Sequence, residues 1–331
     1  MKTMPRLLAF LSLFMALPLA AQELKIATLA PDGSTWMNEL RAAEQRIQNG
    51  TDRRVRVRFY PGGVMGDASA VLRRMRLGQL QGGAFTVSDL SGVSSAVNLY
   101  GLPFLFDSEG EVLTLREEFD PLIIEALGEQ GLIVPGISLG GFAYLFAREP
   151  FPAPESLSTS WRVWVPPGDT LSRRTLERAG VSPVPVPLAD VYTSLQTGTL
   201  NTFASTPTGA IILQWHTRAR HLLDLPILMT AGTIGLDARA FKRLAESDRE
   251  VVLTEFGKAL KQLEAVNRRD NQAALEALGG QGIRITAPPS EHAETWREIA
   301  EQTRNRMIEE GQIDVPYLAH LIERLEALRE P

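Results

Sequence analysis

The chain contains no cysteine. That excludes disulfides, a thiol nucleophile, thiolate metal ligands and a cysteine for lipid attachment, so stability has to come from the packed core. Histidine is scarce, with four residues: His216, His221, His292 and His320. His216 and His221 are five positions apart, which is not one face of a helix, and no metal-binding motif surrounds them. Structural or surface roles are expected for all four. There is no Gly-x-Gly-x-x-Gly turn and no P-loop. No reacting constellation is therefore visible, and neither a metal nor a cofactor is expected. Basic charge is thin and scattered: the formal net charge is −5. The one basic cluster, Arg54-Val-Arg-Val-Arg58, alternates as the wet face of a strand does, so no nucleic-acid partner is expected.

Only one stretch is long and continuously apolar, and it opens the chain. Lys2 and Arg6 precede Leu7 to Leu19, and small residues follow at Ala20 and Ala21. This order of charge, apolar run and small residues reads as a secretory signal peptide over residues 1–21. The run is short for a bilayer span of about 20 residues. Cleavage near Ala21 would release a freely soluble protein outside the inner membrane. Without Lys2 and Arg6 the mature chain has 32 basic residues against 39 acidic ones, a formal charge of −7.

The remaining chain is long enough for two domains, and its 44% hydrophobic content is that of a soluble globular protein. Strand-like and helix-like segments alternate. Leu24–Leu29, Val55–Tyr60, Ala84–Val87 and a strand starting at Leu132 are separated by helical patterns, one with Trp36, Leu40, Ala43 and Ile47 on a face. Ser108 to Glu111 has capping-box spacing, and Asp120-Pro121 looks like a helix start. The rhythm restarts after Pro154. A strand carrying Trp164 leads to Asp169, a good N-cap, and a helix ending at Gly180. Val184–Leu188 is interrupted by prolines, which suits an edge strand. A helix through Val191 and Leu195 stops at Gly198. Leu200–Ala204 is a strand, and Thr206–Thr217 is expected to be helical. Ser247 to Glu250 is another capping box, and apolar residues at 252, 256, 260, 263 and 266 keep helical spacing up to Gly279-Gly280. About 31 residues give roughly 46 Å of helix, too long for one lobe. The expectation is an α/β protein with a mostly parallel sheet in each of two units, and one long helix lying along both.

In open α/β sheets ligands bind beyond the carboxyl ends of strands. Phe142, Trp164, Ser205 and Thr206 follow strand-like runs, and Gln214-Trp215 lies on the segment after one of them. Trp164 sits in Arg162-Val-Trp-Val-Pro-Pro-Gly-Asp169, a strand running into a turn. From that stretch alone, it is either a cleft residue or part of its own domain's core.

Several blocks then occur in a characteristic order. They are Lys25-Ile-Ala-Thr-Leu-Ala-Pro-Asp-Gly-Ser-Thr-Trp36, Phe59-Tyr-Pro-Gly-Gly-Val-Met-Gly-Asp67, Leu99-Tyr-Gly-Leu-Pro-Phe-Leu-Phe106, Val184-Pro-Val-Pro-Leu-Ala-Asp-Val-Tyr-Thr-Ser-Leu-Gln196 and Thr197-Gly-Thr-Leu-Asn201. In these the mature chain resembles the solute-binding receptors of TRAP transporters, the DctP-type family. The resemblance implies a two-lobed periplasmic-binding-protein (Venus-flytrap) fold, joined by crossing strands and the long helix. Lobe I would comprise residues 22–145 and about 236–278, and lobe II residues 146–235 and about 279–331. It also implies closure around a small organic acid and delivery to a membrane permease of one small and one large subunit.

The chain departs from that family at three polar positions. Trp164 stands where a strand arginine would grip a carboxylate with its planar fork. Ala143 stands in place of a second arginine after Gly141-Phe142. Ala204-Ser205 replaces a Glu-Asn pair. Arg162 shares the Trp164 face by alternation but is expected to face solvent. The expected ligand site is Trp164 as a wall, Phe142 and Trp215 as apolar surface, Ser205, Thr206 and Gln214 as hydrogen-bonding groups, and Trp36 from the other lobe. For Trp36, on the apolar face of its helix, core packing is an equal alternative. Losing a bidentate carboxylate contact makes a typical small dicarboxylate a poor ligand; a larger, less charged or aromatic organic acid fits better. Two other functions remain open on the sequence: a solute-presenting partner of a signalling receptor, and a periplasmic enzyme on the same scaffold.

Overall fold

A computed structural model describes residues 21–330. The signal-peptide expectation for residues 1–20 lies outside them. The first lobe begins with strand β1 (Gln22–Thr28), helix α1 (Thr35–Gly50) and strand β2 (Val55–Tyr60). Helix α2 (Ala68–Arg76) leads to strand β3 (Gly82–Thr86). After a 3-10 turn at Val87–Leu90 comes the long helix α3 (Glu109–Glu129), followed by the short strand β4 (Leu132–Ile133). Strand β5 (Ser138–Ala147) crosses to the second lobe. There β6 (Arg162–Val165), α4 (Thr170–Arg178), β7 (Ser182–Pro185), α5 (Val191–Thr197), β8 (Thr202–Ser205) and α6 (Pro207–Ile212) follow. Strand β9 (His221–Asp237), 17 residues long, crosses back. The chain ends with α7 (Ala238–Lys242), α8 (Glu246–Gly280), β10 (Arg284–Thr286), α9 (Ser290–Glu309) and α10 (Leu318–Arg329).

The strands run in the order β2-β1-β3-β9-β5-β8-β6-β7, with β4 and β10 also on β9. Within each lobe β1 pairs parallel with β2 and β3, and β6 with β7 and β8. The crossing strands β5 and β9 are antiparallel to each other. They are therefore the only continuous ladder through both lobes among the described residues. Their register shifts between Leu139 and Gly141 and again between Ala143 and Leu145. Such bulges bend a strand, and they fall where the chain passes from one lobe to the other. β7 lies at the edge, where Pro183 and Pro185 do least harm to the ladder.

Each half of the sheet buries both faces. In the first lobe one core holds Tyr100, Phe106, Phe119 and Ile123, and the other holds Met37, Leu40, Ile47 and Phe256. In the second lobe Phe146, Phe203 and Trp215 form one core, and Leu145, Val163 and Trp296 the other. Helix α8 joins the lobes without a break. Its 35 residues correspond to roughly 52 Å. Val252, Phe256 and Leu260 pack in the first lobe, and Leu278 in the second.

Four expectations need correction. The α8 start is not the Ser247–Glu250 box: Ala245 is the N-cap, without a side-chain bond. Asp248, 3% exposed, instead accepts from Arg54 Nε and Nη2 (2.8–3.2 Å). Asp120-Pro121 does not begin a helix. Helix α3 runs through it, because Phe119, Ile123 and Leu127 anchor both sides in the core. Tyr100 Oη and Arg116 hold the Asp120 carboxylate. The Thr206–Thr217 helix breaks at Gln214, whose φ is +58°, and resumes as a 3-10 turn at Trp215–Arg218. Finally, residues 279–331 do not all join the second lobe. α9 does so through Ala293 and Trp296. α10 returns to α3, with Leu318, Leu321 and Leu325 in the first-lobe core.

Candidate functional site

A cavity of about 420 Å³ lies at the junction of the two lobes. First-lobe segments reach it at Leu29, Asp67–Ser69, Thr86–Asp89 and Pro103–Phe104. The crossing strands add Ala143, Leu145 and residues 227–231, and the second lobe adds Val163–Pro167, the inner side of α4, Ala204–Thr206, Trp215 and Trp296. The position follows from the sheet rule: β1, β3, β6 and β8 all end here with their carboxyl ends.

Trp164 stands in the wall. Its Nε1–H donates to Val186 O at 2.8 Å, and its ring meets Trp215 edge-on, with centroids 5.0 Å apart at 74°. Trp215 is itself held edge-on by Phe203 (5.4 Å, 80°). The indole is therefore fixed by two partners, with its hydrogen-bond donor already used. Phe104 forms the opposite part of the box. Its backbone is left-handed (φ +55°), its N–H donates to Ile227 O at 2.6 Å, and its ring stacks on Trp296 at 6.1 Å. A bulky residue at positive φ is strained and persists only where the surroundings hold it, a pattern that clusters at ligand sites.

Ser205 and Thr206 also line the cavity. Both hydroxyls have internal work: Ser205 Oγ donates to Thr206 O (3.0 Å), and Thr206 Oγ1 caps α6 by accepting from Gly209 N (3.1 Å). Three expected residues lie elsewhere. Phe142 points away from Ala143 by strand alternation and packs on the first-lobe core. Trp36 packs against the α1–α8 core near Gly232. Gln214 is exposed at the helix break, outside the lining. Arg162 is also away from the cavity, with Nε and Nη2 donating to Gly198 O. Phe104 and Trp296 were not singled out in the sequence. Phe104 sits inside the Leu99–Phe106 block, which was a usable signal; Trp296 arrives from α9, more than 120 residues downstream of Trp164, and carried none.

The polar lining is mainly helix caps. Asp67 caps α2, accepting from Ala70 N (2.8 Å) and the Ser69 hydroxyl (2.9 Å). Those bonds hold its carboxyl below the usual range. Asp89 closes a capping box with Thr86, and Asp169 caps α4 through Ser172 N (3.0 Å). Burial pushes the carboxyls of Asp89 and Asp169 upward, since no counter-charge offsets it. Among the described residues no lysine, arginine or histidine lines the cavity. No group of three or more His, Cys, Asp or Glu among them is placed to hold a metal ion.

Two α/β lobes, crossing strands that bend between them and a cavity at the joint define a two-lobed solute-binding fold. The family comparison makes that specific. The model of the bacterial extracellular solute-binding proteins, family 7 (DctP), matches residues 26–310. The chain belongs to that family, the solute-binding proteins of TRAP transporters. A "Solute-binding protein" of Chromohalobacter salexigens is 23% identical over 254 residues, 74% of this chain and 73% of its own length. The 2,3-diketo-L-gulonate-binding periplasmic protein YiaO of Escherichia coli is 25% identical over 197 residues, 59% of each chain. Among solved structures, a TRAP periplasmic solute-binding protein from C. salexigens with bound D-glucuronate superposes with a TM-score of 0.83 at 19% identity, covering 92% of this chain and all of its own. A sugar-acid-binding protein from Advenella mimigardefordensis in complex with galactonate gives 0.84 at 14% identity, covering 93% and 98%. At these identities the structures establish the fold.

Proposed function

We propose that this chain is exported to the periplasm, captures a small organic acid in the inter-lobe cavity and hands it to the small and large subunits of a TRAP permease. It does so without chemistry of its own. One observation carries the site. Ala143, Trp164 and Ala204–Ser205, the three positions where polar residues of the family pattern are missing, all line the same cavity. That residues scattered over more than 60 positions of chain converge there supports reading the cavity as the place where ligand identity is decided.

The ligand stabilises the closed form by touching both lobes at once. Bending is concentrated where β5 and β9 shift register, so the lobes move as bodies and the cores stay packed. The relatives named above bind sugar acids such as D-glucuronate and galactonate. Here a fixed indole replaces the carboxylate clamp, and the acid we propose is larger and more apolar than a small dicarboxylate. The test is mass spectrometry of the solute that co-purifies with the protein, followed by titration of that solute into wild type and Trp164→Ala. Affinity should fall about tenfold or more in the variant. Unchanged affinity would remove Trp164 from the site, and turnover of the solute would overturn the receptor reading.

A further inference from the structure

The inter-lobe cavity is charged in an unusual sense for a protein whose relatives carry anions. Its ionisable lining consists of Asp67, Asp89 and Asp169, with no basic residue. Asp67 and Asp89 line it from the first lobe. Asp169 sits on the second, at the start of α4. An acid held in this box by charge would face carboxylates from both lobes and no counter-ion, the arrangement that burial penalises most. The rest of the wall is carbon-rich and aromatic: Trp164, Trp215, Trp296 and Phe104. With its N–H tied to Val186 O, the Trp164 ring has only its π surface to offer a ligand, and indole is the best ring for a cation.

A second, independent observation points to a ligand. Thr175 also lines the cavity, two turns along α4 from Asp169. It is 3% exposed, and its Oγ1 has no hydrogen-bond partner. A buried hydroxyl on a helix normally bonds back to a carbonyl three or four residues earlier, as Thr303 does to Ile299 O. Thr175 does not, so it is free for a polar atom of a bound solute.

We propose that the solute carries a positively charged nitrogen on an apolar body, with a hydrogen-bonding oxygen for Thr175, the nitrogen facing the Asp67–Asp89 and Asp169 carboxylates across the cleft. This rests on the reading of the cavity as the receptor's ligand site. It narrows the organic acid to one whose negative charge is balanced within the molecule, and it makes the three aspartates selective against plain anions. A bare divalent ion is a poor occupant, because the carboxylates do not come together as a ligand set.

The test uses three probes that share one ring and differ in charge: phenethylamine, L-phenylalanine and 3-phenylpropionate. Each is titrated calorimetrically into the mature protein and into the Asp89→Asn, Asp169→Asn double variant. Asparagine is as good an N-cap as aspartate at position 169, and at 89 its amide oxygen can still accept from Thr86 N, so the variant removes charge and keeps the local bonds; its melting temperature checks the fold. Expected are at least tenfold tighter binding of phenethylamine or L-phenylalanine than of 3-phenylpropionate, and at least a tenfold narrowing of that ratio in the variant. Preference for 3-phenylpropionate, an unchanged ratio, or no binding of any probe overturns the proposal. A co-purified acid with no nitrogen overturns this inference and leaves the receptor function standing. Absence of any bound solute together with lobes that never close overturns both.

Discussion

The crossing strands are flanked by two seams, and the seams are built from opposite materials. At the back, where α8 passes over β5, the contacts are polar and charged. Arg116 donates to Asp120, Glu264 and Ile137 O. Glu264 also accepts from Leu139 N (3.0 Å), while Asn267 and Asn271 donate to Leu139 O (3.1 Å) and Gly140 O (2.7 Å). These carbonyls fall at the first register shift, so side chains complete what the bent ladder leaves open. At the front, the cavity has aromatic rings, cap carboxylates and no cation. The back seam can stay joined while the strands bend, because its bonds attach one helix to one stretch of strand. The front seam has few bonds between the lobes to break, so it is free to open. Guanidinium chemistry is spent on the joint, and ligand recognition is left to shape and to negative charge.

The strongest way to break this contrast is Arg116→Met. It would leave Glu264 and Asp120 partly buried without the guanidinium they share, a loss of about 3 kcal/mol by urea denaturation. Little effect would mean that this network does not hold α8 on the first lobe. Gly141→Ala comes next. Gly141 has φ +98°, and a Cβ there would overlap the Asn271 amide. Strain and displacement together should cost about 2–3 kcal/mol, read as a lower denaturation midpoint with an unchanged slope.

Trp164→Arg sharpens the comparison at the front. It places a guanidinium beside the cavity and should add about 2 kcal/mol of binding for D-glucuronate, roughly thirtyfold, in a calorimetric titration. No gain would show that the indole is not the position of the missing clamp.

The smallest effect is expected for Asp89→Asn. Burial raises the folded-state pKa of Asp89 above its unfolded value. The ionised carboxylate therefore opposes folding at neutral pH, and this penalty disappears as pH falls through the folded pKa. The variant should melt a degree or two higher at pH 7, with the advantage shrinking on acidification. A constant advantage across pH would mean that the substitution acts through something other than charge.

Much of the fold was legible because it depends on local chemistry. Ser108 and Asp169 cap the helices their spacing suggested, and the unbroken apolar periodicity from 252 to 266 is one helix. Misreadings occurred where tertiary packing outweighed a local signal. Pro121 is carried inside α3 by core residues on either side. Asp248 looked like part of a cap and serves Arg54. Of the candidate site, the Trp164, Ser205, Thr206 and Trp215 positions were readable as strand ends and the segment beyond one of them. Phe142 lies outside the lining because a side chain's face depends on the register of its own strand, and the bulges in β5 change that register.

By itself, the sequence determined the class of protein: ordered blocks, βα rhythm and a 35-residue helix leave little freedom in how two lobes can be built. Which side chains share the cavity was decided only by the tertiary structure. Asp67, Asp89, Phe104, Trp164, Thr175 and Trp296 are distant along the chain, and none signals the others. They meet because β5 and β9 cross between the lobes and α9 packs back beneath them, and the absence of any basic group among them can be seen only once they have met.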